Sequence, residues 1–285
     1  MMGRRVVVLG AEGRLGRHLV DSFTRAGDDV TAVPRTAFDL ANPDPAVITQ
    51  ARPEVVINAA AWTDVDGCAV DPQRARLLNG SAAGSIAEAA RAVGAVIVQI
   101  STNEVFDGRS DRAYREDDSP NPLNPYGASK LLGEQAVAAA SPEHLIVRTA
   151  WLFGPRGESF VTRIRRAAMA ARDAGRPLDV VADEWGNPTW TPDVASSIVR
   201  AVAASRRGIL HLAGEPASSR YEWAEVALRG WHVDLRRVTS DRFVRASTVP
   251  RRAVLDTSLA TRLGHPVMEW RPRVADVPAV EEIRA

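Results

Sequence analysis

The sequence predicts an α/β fold: a doubly wound, mostly parallel sheet covered by helices on both faces, with a smaller substrate-binding domain at the C-terminal end. Three observations carry this expectation. Compact apolar runs at 6–9, 30–33 and 55–57 read as buried strands, stretches with helical spacing alternate with them, and the first run stops at a glycine-rich turn that opens a helix. At about 150 residues per domain, a chain of 285 residues holds one large domain or two coupled ones.

The elements follow in order. After the first run, Leu15, Leu19, Val20 and Phe23 recur at helical spacing up to Gly27. A strand at 30–33, a short helix at 46–50 and a strand at 55–57 come next, then an alanine-rich helix at 85–93 and a strand at 95–100. A helix at 131–140 ends near Pro142, and a buried strand at 145–147 completes the alternation. Beyond Gly157 the beat breaks into an Arg-rich helix at 160–174, a strand at 178–181, a helix at 192–204, a strand at 209–212 and a helix at 221–228. Pro250, Pro266, Pro272 and Pro278 keep the closing elements short. Residues 1–155 form the expected nucleotide-binding domain, completed by parts of 185–205, and 156–285 form mainly the second domain.

Composition excludes several classes. Thirty-six basic against 35 acidic residues leave a net charge of +1, without the basic footprint that nucleic acid demands. No run of 18 apolar residues suits a membrane span, and Met1-Met2-Gly3-Arg4-Arg5 does not lead into a signal-peptide core, so the expected location is the cytoplasm. Cys68 is the single cysteine, which rules out an internal disulfide and a cysteine-cluster metal site; it reads as a small, partly buried hydrophobe. The five histidines show no paired spacing, and no metal is expected.

Gly10-Ala11-Glu12-Gly13-Arg14-Leu15-Gly16 lies between the first strand and helix, where backbone N–H groups and the helix start can receive a pyrophosphate. The spacing is GxxGxxG, which fits dinucleotide binding on a Rossmann-type scaffold; an ordinary glycine turn on the same scaffold is the alternative. After the second strand stands Pro34-Arg35 instead of an acidic residue. Arg35 can pair with a ribose 2′-phosphate, which favours NADP(H) over NAD(H), or be a plain surface arginine. Asp39-Leu40 borders the adenine pocket or belongs to a surface loop.

Asn124-Pro125-Tyr126-Gly127-Ala128-Ser129-Lys130 supplies the sharpest chemical clue, because the four-residue spacing puts Tyr126 and Lys130 on one helical face. Bringing a phenol from about 10 to about 7 takes roughly 4 kcal/mol. An ammonium about 4 Å away supplies that order at an effective dielectric of about 20. Lys130 is therefore expected to lower the Tyr126 pKa, and Tyr126 to pass a proton to a carbonyl oxygen. Ser101-Thr102 follows the strand at 95–100, at the sheet edge where α/β sites form, and Thr102 can orient the same carbonyl.

With these residues on the page, the chain resembles the extended short-chain dehydrogenase/reductases, and among them the dTDP-4-dehydrorhamnose reductases. The resemblance runs through Gly10 to Gly16, Asn58-Ala59-Ala60-Ala61-Trp62-Thr63, Ser101-Thr102-Asn103-Glu104-Val105-Phe106-Asp107-Gly108, Tyr126 to Lys130, Arg148-Thr149-Ala150-Trp151, and Gly186-Asn187-Pro188-Thr189-Trp190-Thr191. It implies a Rossmann domain, a nucleotide-sugar domain, and NAD(P)H-dependent reduction of a 4-keto sugar carried on dTDP. It makes Thr102, Tyr126 and Lys130 the catalytic trio, with Lys130 also holding the cofactor ribose. It places Asn58, Ala59, Ala60, Ala61, Thr63 and Ser101 beside the cofactor. Asn103, Glu104, Val105, Phe106, Trp151, Asn187, Thr189 and Trp190 fall on the substrate side, Trp151 being also readable as a core aromatic. Trp62 stands where a tyrosine is more typical, Asn103-Glu104 replaces an Asp-Tyr pair, and Val249 to Asp256 matches the family's closing stretch only in part.

A nucleotide-sugar epimerase or dehydratase of the same superfamily and a non-catalytic NADP-binding regulatory subunit are the competing functions; a monomer or homodimer is expected. Arg163, Arg165 and Arg166 read as a solvated helix face or as pyrophosphate ligands, Trp185, Trp223, Trp231 and Trp270 as packing, and Asp64 and Asp66 as loop or cap groups.

Overall fold

The computed structural model describes residues 3–279, so Met1 and Met2 lie outside the described residues. Six parallel strands form the central sheet in the order Gly208–His211, His144–Thr149, Val96–Thr102, Val55–Asn58, Arg5–Leu9, Asp29–Val33. The order reverses beside the first strand, so the carboxyl ends of Arg5–Leu9 and Val55–Asn58 border the crevice where ligands enter such sheets.

Side-chain alternation along the strands builds two cores. Val6 and Val8 face Leu19, Phe23, Val194 and Ile198 on one side, while Val7 and Leu9 face Ile48, Ile86, Ala87 and Val137 on the other. Helix Thr191–Ala203 and strand Gly208–His211 belong to this sheet assembly, although both follow the first segment of the second body. Residues 65–81, which lack a strong apolar period, form helices Val65–Val70 and Pro72–Ala75 and a π-helical turn Arg76–Ser81. Asp64 and Asp71 cap the first two by accepting from Gly67 N and Arg74 N.

The second body is built round aromatic packing. Trp223 stacks on Phe160 at 4.4 Å and on Trp151 at 5.7 Å, and Trp270 meets it edge-on at 6.4 Å. A parallel pair, Leu178–Val181 with Leu235–Val238, lies under helices Phe160–Asp173 and Arg220–Ala227. Among the described residues no helix is long and apolar enough to cross a membrane, and no group of three His, Cys, Asp or Glu side chains could hold a metal ion.

Helix Pro125–Ala140 buries a polar column, Tyr126, Lys130 and Glu134, spaced by four residues. Glu134 meets Arg148 of the neighbouring strand in a bidentate pair, 2.7 and 3.0 Å, with both side chains almost fully buried. Ser101 Oγ donates to the same carboxylate at 2.5 Å. Removing one partner strands a buried charge, so Arg148→Met should cost about 3–5 kcal/mol in urea unfolding. Adding Glu134→Leu should recover part of that loss, and a further loss of equal size would contradict the pairing.

Candidate active site

A cavity of about 1060 Å³ opens at the switch point and is lined by Gly10, Glu12, Gly13, Arg35, Asp39, Leu40, Ala59, Ala60 and Ala61, together with Phe38, Trp62, Gln73 and Arg74. The glycines are there for close approach. Gly10 has φ +74°, and a Cβ on it would lie 2.8 Å from Ala60 N; one on Gly16 would lie 2.1 Å from Gly10 O. The N–H groups of Gly10 and Ala11 are spent on Val33 O and that of Gly13 on Gly10 O, whereas those of Glu12, Arg14 and Leu15 have no main-chain acceptor among the described residues. Free donors at a helix start suit an anion, and the cavity fits a dinucleotide cofactor.

Not every residue of the turn faces the cavity. Leu15 packs into the core, and Arg14 reaches away to the carbonyls of Leu152 and Glu158, tying the turn to the second body. Asn58 lies beneath the cavity floor, donating to Gln99 Oε1 at 2.8 Å and accepting from Ala60 N at 3.2 Å. Asn79 of the π-helical turn fixes the Trp62 main chain from both sides, accepting from its N–H at 2.8 Å and donating to its carbonyl at 3.0 Å, and also donates to Ser129 Oγ. Nothing in the periodicity of 76–81 singles Asn79 out.

Tyr126 and Thr102 line neither this cavity nor a second one; Tyr126 lies behind their walls, packed against Trp62 of the first and Val65 of the second. The phenol packs against Cys68, Ala75, Trp62 and Val65, with the Thr102 hydroxyl nearby. Burial pushes the phenol's pKa well above its ordinary value and the Glu104 carboxylate adds to the rise, while the Thr102 hydroxyl pulls the other way. This corrects the expectation that Lys130 lowers it. The ammonium is turned to Ile100 O, at 2.7 Å, and burial brings its own pKa down to about 8. Ser101 is committed to Glu134, not to the cofactor cavity.

The second cavity, about 590 Å³, is lined by Thr63, Asn103, Glu104 and Trp151 and by Arg163, Glu184, Arg220 and Arg245. Trp151 adopts φ +41°, a strained conformation for a bulky residue, and presents its ring to Arg220 at 3.7 Å. Arg220 is also paired with Glu184 at 3.4 Å. Asn103 donates through Nδ2 to Ala253 O at 2.9 Å, a bond that an ionised aspartate lacks the proton to make. Asn124 Oδ1 caps the Tyr126 helix by accepting from Gly127 N at 2.8 Å, and its Nδ2 donates to Glu104 Oε2 at 2.7 Å. An Asn directly before Pro is a readable cap signal, and it marks this residue in the sequence.

Five of the expected substrate-side residues line neither cavity. Val105 and Phe106 are core, with Phe106 stacked on Tyr114 at 4.3 Å. Asn187 bonds Leu255 N and Gly214 O, Thr189 bonds Asn187 O and Gly214 N, and Trp190 packs edge-on against Phe153. Arg165 is not solvated either, since its guanidinium donates to the carbonyls of Ala227, Val274, Val277 and Pro278.

The cavity geometry sets two expectations. Gly16→Ala should abolish NADPH binding in a fluorescence titration, because the new methyl meets a carbonyl that cannot retreat; unchanged affinity would show that the turn is not the phosphate cradle. Arg35→Ala should weaken NADPH more than NADH, and equal losses would count against contact with a 2′-phosphate.

The chain matches the family described as RmlD substrate binding domain over residues 4–282. It is 38% identical over 287 residues to a dTDP-4-dehydrorhamnose reductase of Mycolicibacterium smegmatis, covering 98% of this chain and 86% of that one. It is 35% identical to a dTDP-4-keto-6-deoxy-D-glucose reductase of Streptomyces niveus, covering 94% of each. The crystal structure of a dTDP-4-dehydrorhamnose reductase from Bacillus anthracis in complex with NADP superposes with a TM-score of 0.88 at 30% identity, covering 96% of this chain and 98% of that one. The chain therefore belongs to the dTDP-4-dehydrorhamnose reductase family of the short-chain dehydrogenase/reductases, NAD(P)-dependent enzymes of nucleotide-sugar reduction.

Proposed function

We propose that this chain reduces a nucleotide-linked 4-keto-6-deoxy sugar to its 4-hydroxy product, with dTDP-4-dehydrorhamnose or a closely related dTDP-4-ketosugar as substrate and NADP(H) as cofactor, NAD(H) being the alternative. The observation that carries it is a buried phenol, packed against Trp62 of the first cavity and Val65 of the second, whose burial raises its pKa. A proton donor for a forming alkoxide must hold its proton until hydride arrives, and this environment makes it do so.

A bound reduced nicotinamide supplies the hydride. The free N–H groups of the turn would hold the pyrophosphate, which Gly10 and Gly13 allow to come close, and Arg35 would hold the 2′-phosphate. Thr102 orients the carbonyl and steadies the Tyr126 hydroxyl, and Tyr126 gives its proton to the carbonyl oxygen. Lys130, held by Ile100 O, presents its ammonium to the ribose hydroxyls. Arg163, Arg220 and Arg245 offer guanidinium donors to a sugar diphosphate in a cavity that five carboxylates also line, Arg220 and Arg245 being paired with Glu184 and Asp66, and Trp151 offers an aromatic wall to the sugar. The residues assigned to the nucleotide fall in 1–155 and most of those assigned to the diphosphate in 156–285, which supports the two-part organisation. A dehydratase needs further acid/base carboxylates beside the threonine; Glu104 partly meets that need, but Asn103 is an amide committed as a tether to Ala253 O.

An NADPH-oxidation assay against dTDP-4-ketosugars tests the reading, and oxidation should be stoichiometric with the sugar. Tyr126→Phe should retain NADPH binding and lose about 10²–10⁴-fold in turnover; full turnover would remove Tyr126 as the acid. The alkaline limb of kcat/KM should fall near pH 8, where Lys130 loses the proton that it carries below that value, while the phenol stays protonated. The same limb unshifted in Lys130→Met would assign it to another group.

A further inference from the structure

We propose that Glu104 gives this site a second activity, the enolisation of its ketosugar, in which the carboxylate removes the proton from a carbon flanking the carbonyl without consuming NADPH. The inference rests on the reading that a 4-ketosugar binds with its carbonyl at Thr102 and Tyr126.

Reduction needs one hydride and one proton, and Tyr126 provides the proton, so a carboxylate beside it has no part in that step. Its charge even makes the phenol a weaker acid. Yet the carboxyl is held with care. Glu104 lies in the turn Asn103–Val105 directly after Thr102, and its N–H donates to Thr102 Oγ1 at 3.2 Å. One carboxylate oxygen accepts from Asn124 Nδ2 at 2.7 Å; the other accepts no hydrogen bond among the described residues, and the residue lines the second cavity. Asn124 also caps the helix that carries Tyr126, so one side chain fixes the base and the acid relative to each other. A Cβ on Gly127 would lie 2.1 Å from Glu104 O, which shows how closely the two elements are seated. Burial raises the carboxyl's pKa above its ordinary value, against the Asn124 hydrogen bond and the charges of Arg220 and Arg245 and with Glu184 adding to the rise, which makes it a better base than a solvated carboxylate.

The step balances without an oxidant. The C–H bond next to the carbonyl breaks and Glu104 takes the proton. The electron pair left behind forms the C=C bond of an enol, while the carbonyl oxygen takes the Tyr126 proton. Reversal restores ketone, carboxylate and phenol, and a carboxyl that has exchanged with D2O returns a deuteron.

The test incubates the enzyme with NADP+ and dTDP-4-keto-6-deoxy-D-glucose in D2O, where no reduction occurs, and follows deuterium in the recovered sugar by mass spectrometry and NMR. Wild type should incorporate deuterium at C3 or C5 about 100-fold faster than the enzyme-free control. E104Q, which keeps the Asn124 bond, should fall to that control, and E104D should retain part of the rate; circular dichroism checks that both are folded. Equal incorporation by E104Q, or none by wild type while the same preparation oxidises NADPH with this sugar, overturns the inference alone. Failure of NADPH oxidation with both this sugar and dTDP-4-dehydrorhamnose overturns the functional reading and the inference with it.

Discussion

The burial of one phenol against the start of its own helix is the constraint on which the site turns. Tyr126 lies in the first turn of Pro125–Ala140, and that turn is fixed by the Asn124 cap, by the contact of Gly127 with the Glu104 backbone, and by the buried column running on to Lys130 and Glu134. Loosening the helix start would let water reach the hydroxyl and would free the Glu104 carboxyl together with it. Acid strength and position are therefore set by the same few contacts.

The two cavities are shaped by different physics. At the switch point, glycines and alanines let backbone approach backbone, and longer side chains such as Arg35, Phe38, Trp62 and Arg74 complete the lining. On the other side, long cationic side chains are held in place by aromatic faces and carboxylates, as Arg220 is by Trp151 and Glu184. A guanidinium stacked and paired in this way loses little further freedom when an anion arrives.

Much of this was legible in the sequence, for local reasons. The runs at 6–9, 55–57 and 95–100 are strands because β-branched residues flanked by breakers have few alternatives, and the Tyr126–Lys130 spacing is a helical face wherever it folds. Residues 65–81 were not legible, since their short helices depend on caps and on the Asn79 bonds to Trp62 rather than on a repeating apolar stripe. The direction of the Tyr126 pKa was also out of reach: spacing brings a lysine near, but only the folded chain shows its ammonium bound to Ile100 O and a carboxylate on the other side. The burial of Asn187, Thr189 and Trp190 teaches the same lesson. The side chains of a motif can be spent on supporting a loop.

The sheet does not finish where the nucleotide-binding segment ends. Its edge strand Gly208–His211 and the covering helix Thr191–Ala203 come only after the first segment of the second body has been strung between them and the strand His144–Thr149. A ribosome must thus release the chain through His211 before the sheet can close, and until then a hydrophobic face and a bare strand edge stand open to chaperones.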